Sequence, residues 1–195
     1  MQLCPRKHSI RIRAMGLSKL LLKLAGWKVR ITVENYPKAI ICVAPHTSNW
    51  DFIIGKLAYA SVNRKAGFLM KKSWFFFPLG YIFRAMGGIP VSRDGNSNES
   101  SVDNIVNQFK NSERLTIAIT PEGTRSLTQK WRTGFLNIAR LAGVPILLAV
   151  IDYKKKEAYI EHTFMPTGNN DADMRCIKDY YKDANGKYPE KFTIE

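Results

Sequence analysis

Pro45-His46-Thr47-Ser48-Asn49-Trp50-Asp51 follows the apolar run Ala39-Ile40-Ile41-Cys42-Val43-Ala44. The run has the length and β-branched content of a buried strand. Pro45 ends it, because proline has no N–H to give to a ladder. Ser48-x-x-Asp51 has the form of a helix-start box, and Phe52, Ile53, Leu57 and Ala60 continue at roughly helical spacing. The stretch predicts a histidine on the turn leaving a strand and an aspartate in the first turn of the next helix. If the turn folds back, the carboxylate reaches the imidazole, fixes its tautomer and leaves a competent general base near neutral pH. The plainer reading makes His46 a polar loop residue and Asp51 a capping acid at a helix N-terminus.

Outward from this turn, short apolar runs alternate with helical periodicity. Strands are expected at Ile31-Thr32-Val33, Ala66 to Met70, Leu115 to Ile119, Val144 to Ile151 and on towards Ile160. Gly87-Gly88-Ile89-Pro90-Val91-Ser92-Arg93-Asp94 holds a further short extended segment. Val102, Ile105, Val106 and Phe109 share one helical face, as do Phe135, Ile138, Ala139 and Ala142, and a last helix is expected near Met174 to Lys182. There is no repeat and no linker long enough to divide the chain. Alternating strands and helices in 195 residues predict one α/β domain with a sizeable core.

Charge bounds the partners. Thirty Lys plus Arg against 16 Asp plus Glu give a formal net charge of +14, which points to an anionic partner: nucleic acid, a membrane surface or a phosphorylated substrate. The first 30 residues are the most one-sided, with Arg6, Lys7, Arg11, Arg13, Lys19, Lys23, Lys28 and Arg30 all preceding Glu34, the first acid. Ile10 to Ala25 reads as a basic amphipathic helix with Ile10, Ala14, Leu17, Leu21 and Leu24 on one face and Gly26 as its stop. Such a helix either lies in a lipid interface or packs on the core with a solvated basic face. No apolar run approaches the ~20 residues of a membrane-spanning helix, and no signal peptide is expected. Lys71-Lys72-Ser73-Trp74-Phe75-Phe76-Phe77-Pro78-Leu79-Gly80-Tyr81-Ile82-Phe83 is intensely aromatic but short. It is either core packing or a surface that meets acyl chains.

The second loop with chemistry is Pro121-Glu122-Gly123-Thr124-Arg125-Ser126, just past the Leu115–Ile119 run, at the end of a strand where α/β sheets bind ligands. Gly123 allows backbone N–H groups to face an anion, and Arg125 offers a bidentate fork for phosphate, with Arg93 as a second clamp. An arginine in a surface loop is more often simply solvated. Competing chemistries lack their signatures: no nucleotide cradle, no metal-ligand spacing among His8, His46 and His162, and no G-x-S-x-G. Cys4, Cys42 and Cys176 are too few and scattered for a disulfide framework, and Cys42 sits inside an apolar strand. A histidine base, its carboxylate and a phosphate clamp beside apolar surface suit direct acyl transfer to a hydroxyl of a phosphate-bearing lipid.

With these residues in place, a family resemblance is visible. His46-x-x-x-x-Asp51 resembles the H-x4-D motif of the glycerolipid acyltransferases, particularly the bacterial 1-acylglycerol-3-phosphate acyltransferases. Gly88-Ile89-Pro90-Val91-Ser92-Arg93, Pro121-Glu122-Gly123-Thr124-Arg125-Ser126 and Val144-Pro145-Ile146 are similar to the family's following blocks, in order and in register. The resemblance implies a mixed sheet flanked by helices (residues 31–195) after a membrane-associating helical segment (residues 1–30). It implies His46 as base and Asp51 as its orienting partner, with Arg93, Glu122, Gly123, Thr124 and Arg125, joined by Lys71, binding the acceptor's glycerol phosphate. It further implies an acyl-CoA or acyl carrier protein donor, a lysophospholipid acceptor, no metal, no other cofactor and no covalent intermediate. The expected location is the cytoplasmic face of the membrane, peripheral or monotopic, on an anionic surface. The chain departs from the usual pattern at Pro45, Trp50, Pro90, Ser92 and Thr120, which bear on the acceptor more than on the His–Asp pair, so a lyso-aminolipid is the alternative acceptor. The readings from other classes are a non-catalytic lipid-surface binder and a nucleic-acid binder. The latter rests on charge alone, with no recognition module visible, and is set aside. Nothing in the sequence fixes an oligomeric state.

Overall fold

The computed structural model describes residues 16–91 and 101–195. The expected segments 10–15 and 92–100, and Arg93 with them, lie outside the described residues. A first helix, α1, occupies residues 16–24 of the described chain. It is followed by β1 Lys28–Ile31, β2 Lys38–Ala44, α2 Asn49–Ser61, β3 Gly67–Lys71, α3 Leu79–Ala85 and β4 Gly88–Val91. Then come α4 Ser101–Asn111, β5 Leu115–Ile119, α5 Gly134–Ala142, β6 Ile146–Asp152, β7 Glu157–Phe164 and α6 Asn170–Tyr180. The strand expected at Ile31–Val33 starts three residues earlier, because Lys28 to Ile31 pair in parallel with Glu157 to Ile160.

The seven strands form one mixed sheet in the order β1-β7-β6-β2-β5-β3-β4. All neighbours are parallel except the β6–β7 hairpin. The central strands read as continuous apolar runs because both faces are covered, and every residue of β6 is buried. On one face α4, α5 and α6 pack Ile105, Phe109, Phe135, Leu136 and Ile177 against Ile40, Cys42, Ile117 and Leu148. On the other, α2 brings Ile54, Ala58 and Tyr59 against Ile41, Ala149 and Ile151, and α1 adds Leu22.

Helix α3 lies on the α2 face, since Gly88 of β4 approaches the α3 backbone at Phe83 while its neighbour Ile89 joins the opposite core. Helix α1 and the aromatic segment 71–83 therefore sit on one side of the sheet, and both expose apolar side chains. In α1 the anchors are Ser18 and Leu22, while Leu17, Leu20, Leu21 and Leu24 face outward at i, i+3, i+4 and i+7. In the aromatic segment Trp74, Phe76, Phe77, Tyr81 and Ile82 are exposed, Phe77 by 81%. Only Gly80 is fully buried there, facing the Phe75 carbonyl where a Cβ would not fit, while Phe75, Leu79 and Phe83 are half-buried and the Phe75 and Phe83 rings meet edge-on. Among the described residues no helix is long and apolar enough to cross a membrane.

Candidate active site

Parallel pairing decides where the site lies. Strand β2 has β5 on one side and β6 on the other, both parallel to it, so the chain leaves all three at the same edge. From β2 the chain crosses to α2 on one face, and from β5 it crosses to α5 on the other. Adjacent strands whose connections part in this way open a crevice at their carboxyl ends. His46 is the second residue after β2, Glu122 the third after β5, and Tyr153 the first after β6.

Asp51 caps the helix and also stands beside the imidazole. Ser48 is the N-cap of α2, its hydroxyl accepts from Trp50 N–H at 3.2 Å, and Asp51 closes the capping box by accepting from Ser48 N–H at 2.8 Å. The same oxygen, Oδ2, accepts from Thr47 N–H at 2.8 Å and stands 3.2 Å from His46 Nδ1. That last contact is an ion-pair distance without an aligned hydrogen bond, and Nδ1 is otherwise unpartnered. Such bonds are often loose without substrate and tighten with it bound. Oδ1 accepts the Tyr153 hydroxyl at 2.7 Å. Asp51 is only 3% exposed, and three donors hold its charge in a place where an unpaired carboxylate would be costly. With Nδ1 turned to Asp51, Nε2 is left for the cavity that His46 lines.

Glu122 supports the histidine from behind. It is buried and accepts His46 N–H at 2.8 Å, so it fixes the loop backbone and does not stand on the cavity wall. Burial pushes its carboxyl up to about 7, the nearby Asp51 charge adds to the rise, and the His46 N–H bond opposes it. A carboxyl raised in the fold lets the native state hold a proton that the unfolded chain has lost. Stability therefore falls as pH rises from the usual 4.5 to about 7 and levels above that. Glu122→Gln keeps the acceptor for His46 and removes the titration. Its melting temperature should gain on wild type across that window, and a parallel pH dependence of the two proteins would contradict the assignment.

The rest of the loop differs in part from expectation. Gly123 has φ +66°, which a side chain would strain, and the Arg132 side chain lies where its Cβ would be. Its N–H is taken by Thr120 O at 3.1 Å, so it does not present the free donor expected from the sequence. Thr124 is exposed, with its hydroxyl accepting from Ser126 N–H. Arg125 reaches across the crevice to bond Asn49 Oδ1. Lys71 ends β3 exposed, outside the residues that line the cavity.

The cavity measures about 1210 Å³ and runs from His46, Asn49, Arg125 and Arg132 over the apolar surface of Val43, Phe52, Phe68 and Ala118. Lys56 also borders it, but its ammonium is held by Ala66 O at 2.9 Å and Met86 O at 2.8 Å. Cys42 beneath the site is no nucleophile, because burial pushes its thiol up to about 12. Among the described residues no cluster of three His, Cys, Asp or Glu side chains is placed to hold a metal ion.

A model of the acyltransferase family matches residues 28–152, from β1 to the end of β6. The chain belongs to the acyltransferase family. Over 136 residues it is 32% identical to the 1-acyl-sn-glycerol-3-phosphate acyltransferase of Salmonella typhimurium, a match that takes in 65% of this chain and 54% of that one. The Escherichia coli K12 protein of the same name is 30% identical over the same length. The chain thus spans about half the length of the curated relatives it matches. The fold is that of the 1-acyl-sn-glycerophosphate (LPA) acyltransferase PlsC of Thermotoga maritima, with a TM-score of 0.57 at 17% identity, covering 95% of this chain and 86% of that one.

Two residues at this candidate site carry no signal in the sequence motifs. Tyr153 stands just past a central parallel strand, as His46 and Glu122 do, and that shared position is the signal that could have found it. Arg132 lies six residues beyond the loop motif and carries no local signal.

Proposed function

We propose that this chain moves a fatty acyl group from an acyl-thioester, acyl-CoA or acyl carrier protein, directly to the free hydroxyl of a lysophospholipid, with 1-acyl-sn-glycerol-3-phosphate as the first choice and phosphatidic acid as product. One observation carries the reading: the His46–Asp51 pair opens on a large apolar cavity whose wall includes Arg125 and Arg132. His46 Nε2 takes the hydroxyl proton as the oxygen bonds to the thioester carbon. Collapse of the tetrahedral species breaks the C–S bond, and the imidazolium returns the proton to the departing thiolate. Asp51 balances the imidazolium charge while it exists. The apolar cavity takes acyl chain, and Arg125 and Arg132 take the phosphate as charge-assisted donors. The names of the relatives supply the choice of acceptor.

The test is release of free thiol from acyl-CoA or acyl carrier protein thioesters by protein in anionic liposomes, with lysophosphatidic acid, lyso-aminolipids and glycerol phosphate as acceptors. Release that requires lysophosphatidic acid is the expected result. Release only with a lyso-aminolipid would move the acceptor and keep the mechanism, and vesicle binding without turnover of any donor would favour a lipid-surface binder. Arg125→Ala should raise KM for the phosphorylated acceptor by about ten- to a hundredfold with a smaller change in kcat, since a charge-assisted bond is worth roughly 1.5–3 kcal/mol. An unchanged KM would mean that the acceptor's phosphate lies elsewhere.

On this reading residues 1–30 form the membrane-associating segment before an acyltransferase domain of residues 31–195, and the protein works at the cytoplasmic membrane face. The outward leucines of α1 and the exposed aromatics support one lipid-facing side, with the chain's positive charge drawing it to anionic headgroups. Leu20→Glu/Leu24→Glu should lower partition into anionic vesicles by roughly tenfold per residue, as sedimentation would show, because burying a leucine is worth about 1.5–3 kcal/mol. Unchanged partition would remove α1 from the interface.

A further inference from the structure

We infer that Tyr153 is a positioning residue for the His46–Asp51 pair, holding the Asp51 carboxylate at the angle at which Oδ2 faces the imidazole. The inference rests on the acyl-transfer reading for its kinetic arm and on geometry for its basis. The bond from Tyr153 Oη to Asp51 Oδ1 is 2.7 Å and holds the oxygen on the far side from the histidine loop. The two backbone donors, Thr47 N–H and Ser48 N–H, both address Oδ2. Two donors on one oxygen leave the carboxyl group free to pivot about that point, and the third, on the far oxygen, fixes its plane. Burial and then the bond to Asp51 push the phenol well above its usual range, so it remains a donor wherever the protein is folded.

Tyr153 is itself held from two sides. Its N–H donates to Asn185 O at 2.8 Å, which ties it to the C-terminal segment that also reaches the histidine loop through Tyr188 N–H and Thr47 Oγ1 at 3.2 Å. Its ring stands perpendicular to that of Trp27 with centroids 5.0 Å apart. Trp27 directly follows the Gly26 turn that ends α1, the helix whose leucines face outward. Tyr153 thus joins the base of the outward-facing helix to the carboxylate of the pair. A one-ångström misplacement of a catalytic group can cost on the order of a hundredfold in rate, so a residue that fixes its plane carries kinetic weight without touching substrate.

Tyr153→Phe keeps the ring on Trp27 and deletes the donor. The expected result is a kcat about tenfold lower with KM for both substrates unchanged. The acid limb of the pH–rate profile should move to higher pH. Asp51 with one donor fewer carries a less neutralised charge and holds the imidazolium more tightly. Among the described residues, the other titratable or charged groups around the pair and on its cavity wall include Glu122 behind it, Tyr188 from the C-terminal segment, and Lys56, Arg125 and Arg132 across the cavity. All are present in both proteins, so the difference between the two profiles isolates Tyr153. A fall in kcat with an unmoved acid limb would reduce Tyr153 to a structural role and overturn the inference, as would wild-type values of both.

A second readout is independent of turnover. In protein labelled with ¹⁵N-histidine, the His46 ring signals are identified as those lost in His46→Ala, separating them from His8 and His162. In Tyr153→Phe they should titrate at higher pH than in wild type. Unmoved signals would overturn the inference even if no donor and acceptor pair were turned over, whereas moved signals without turnover would retain it and reject the acyl-transfer reading. Trp27→Leu, which leaves the Tyr153 hydroxyl in place, should leave the titration unchanged, and the same shift in that variant would overturn assignment of the effect to the hydroxyl.

Discussion

His46→Ala should lower kcat about 10²- to 10⁴-fold, the usual worth of a positioned general base, while the fold survives. The fold survives because this loop is held mostly by groups other than the imidazole. The His46 N–H bond to Glu122, the Thr47 and Ser48 N–H bonds to Asp51, and the Thr47 contact with Tyr188 are all made by atoms that alanine retains or does not touch. Melting temperature close to wild type with activity lost would therefore locate the effect in the chemistry. The acceptor hydroxyl is a poor nucleophile while protonated, and among the described residues neither nearby carboxylate can replace the base: Glu122 is turned inward and Asp51 is buried beneath the ring. Near-wild-type turnover in this variant would refute the assignment of His46.

Asp51→Asn should be nearly as severe in rate, about 10³- to 10⁴-fold in kcat, for a different reason. An amide oxygen can still accept from Thr47 and Ser48 N–H, and the amide nitrogen can face the Tyr153 oxygen if that hydroxyl turns to accept. The helix cap and the loop then persist, and the negative charge is gone. An imidazolium formed in the transition state is left without its counter-charge in a mostly buried place, and the ring loses the partner that sets its tautomer. Comparable losses are known when the aspartate of a serine-protease triad becomes asparagine. Separate measurement of kcat and KM checks the prediction: the loss should fall on kcat, and a loss confined to KM would make Asp51 a substrate contact.

Much of this arrangement was legible in the sequence. The apolar run ending at Pro45, with Ser48-x-x-Asp51 after it, placed histidine and aspartate on a strand-to-helix turn, and α2 begins within a residue of that expectation. The central strands were readable because both faces are covered, which leaves uninterrupted runs such as Ile146–Asp152. The start of β1 was not, since Lys28-Val29-Arg30-Ile31 is half exposed at the sheet edge and its pairing with β7, more than 120 residues away, leaves no local mark. The amphipathic pattern of α1 gave its period but not its orientation: the leucine stripe points outward, and Ser18 with Leu22 anchors the helix. The family resemblance groups Glu122 with the phosphate binders; in the fold its carboxyl accepts the His46 N–H and lies off the cavity wall. Tyr153 and Arg132 are contributed by sheet topology and loop return, information that lies between distant segments.

The most direct test of the central claim tracks the acyl group itself. Wild-type protein in anionic liposomes would be given an acyl-thioester with an isotopically labelled chain together with lysophosphatidic acid, and the lipids and the intact protein would be weighed by mass spectrometry, with His46→Ala alongside. Direct transfer predicts labelled phosphatidic acid in step with free thiol, no acyl adduct on the protein, and neither product in the variant. Labelled free fatty acid in place of phosphatidic acid, an acylated protein that chases into product, or undiminished product from His46→Ala would contradict it.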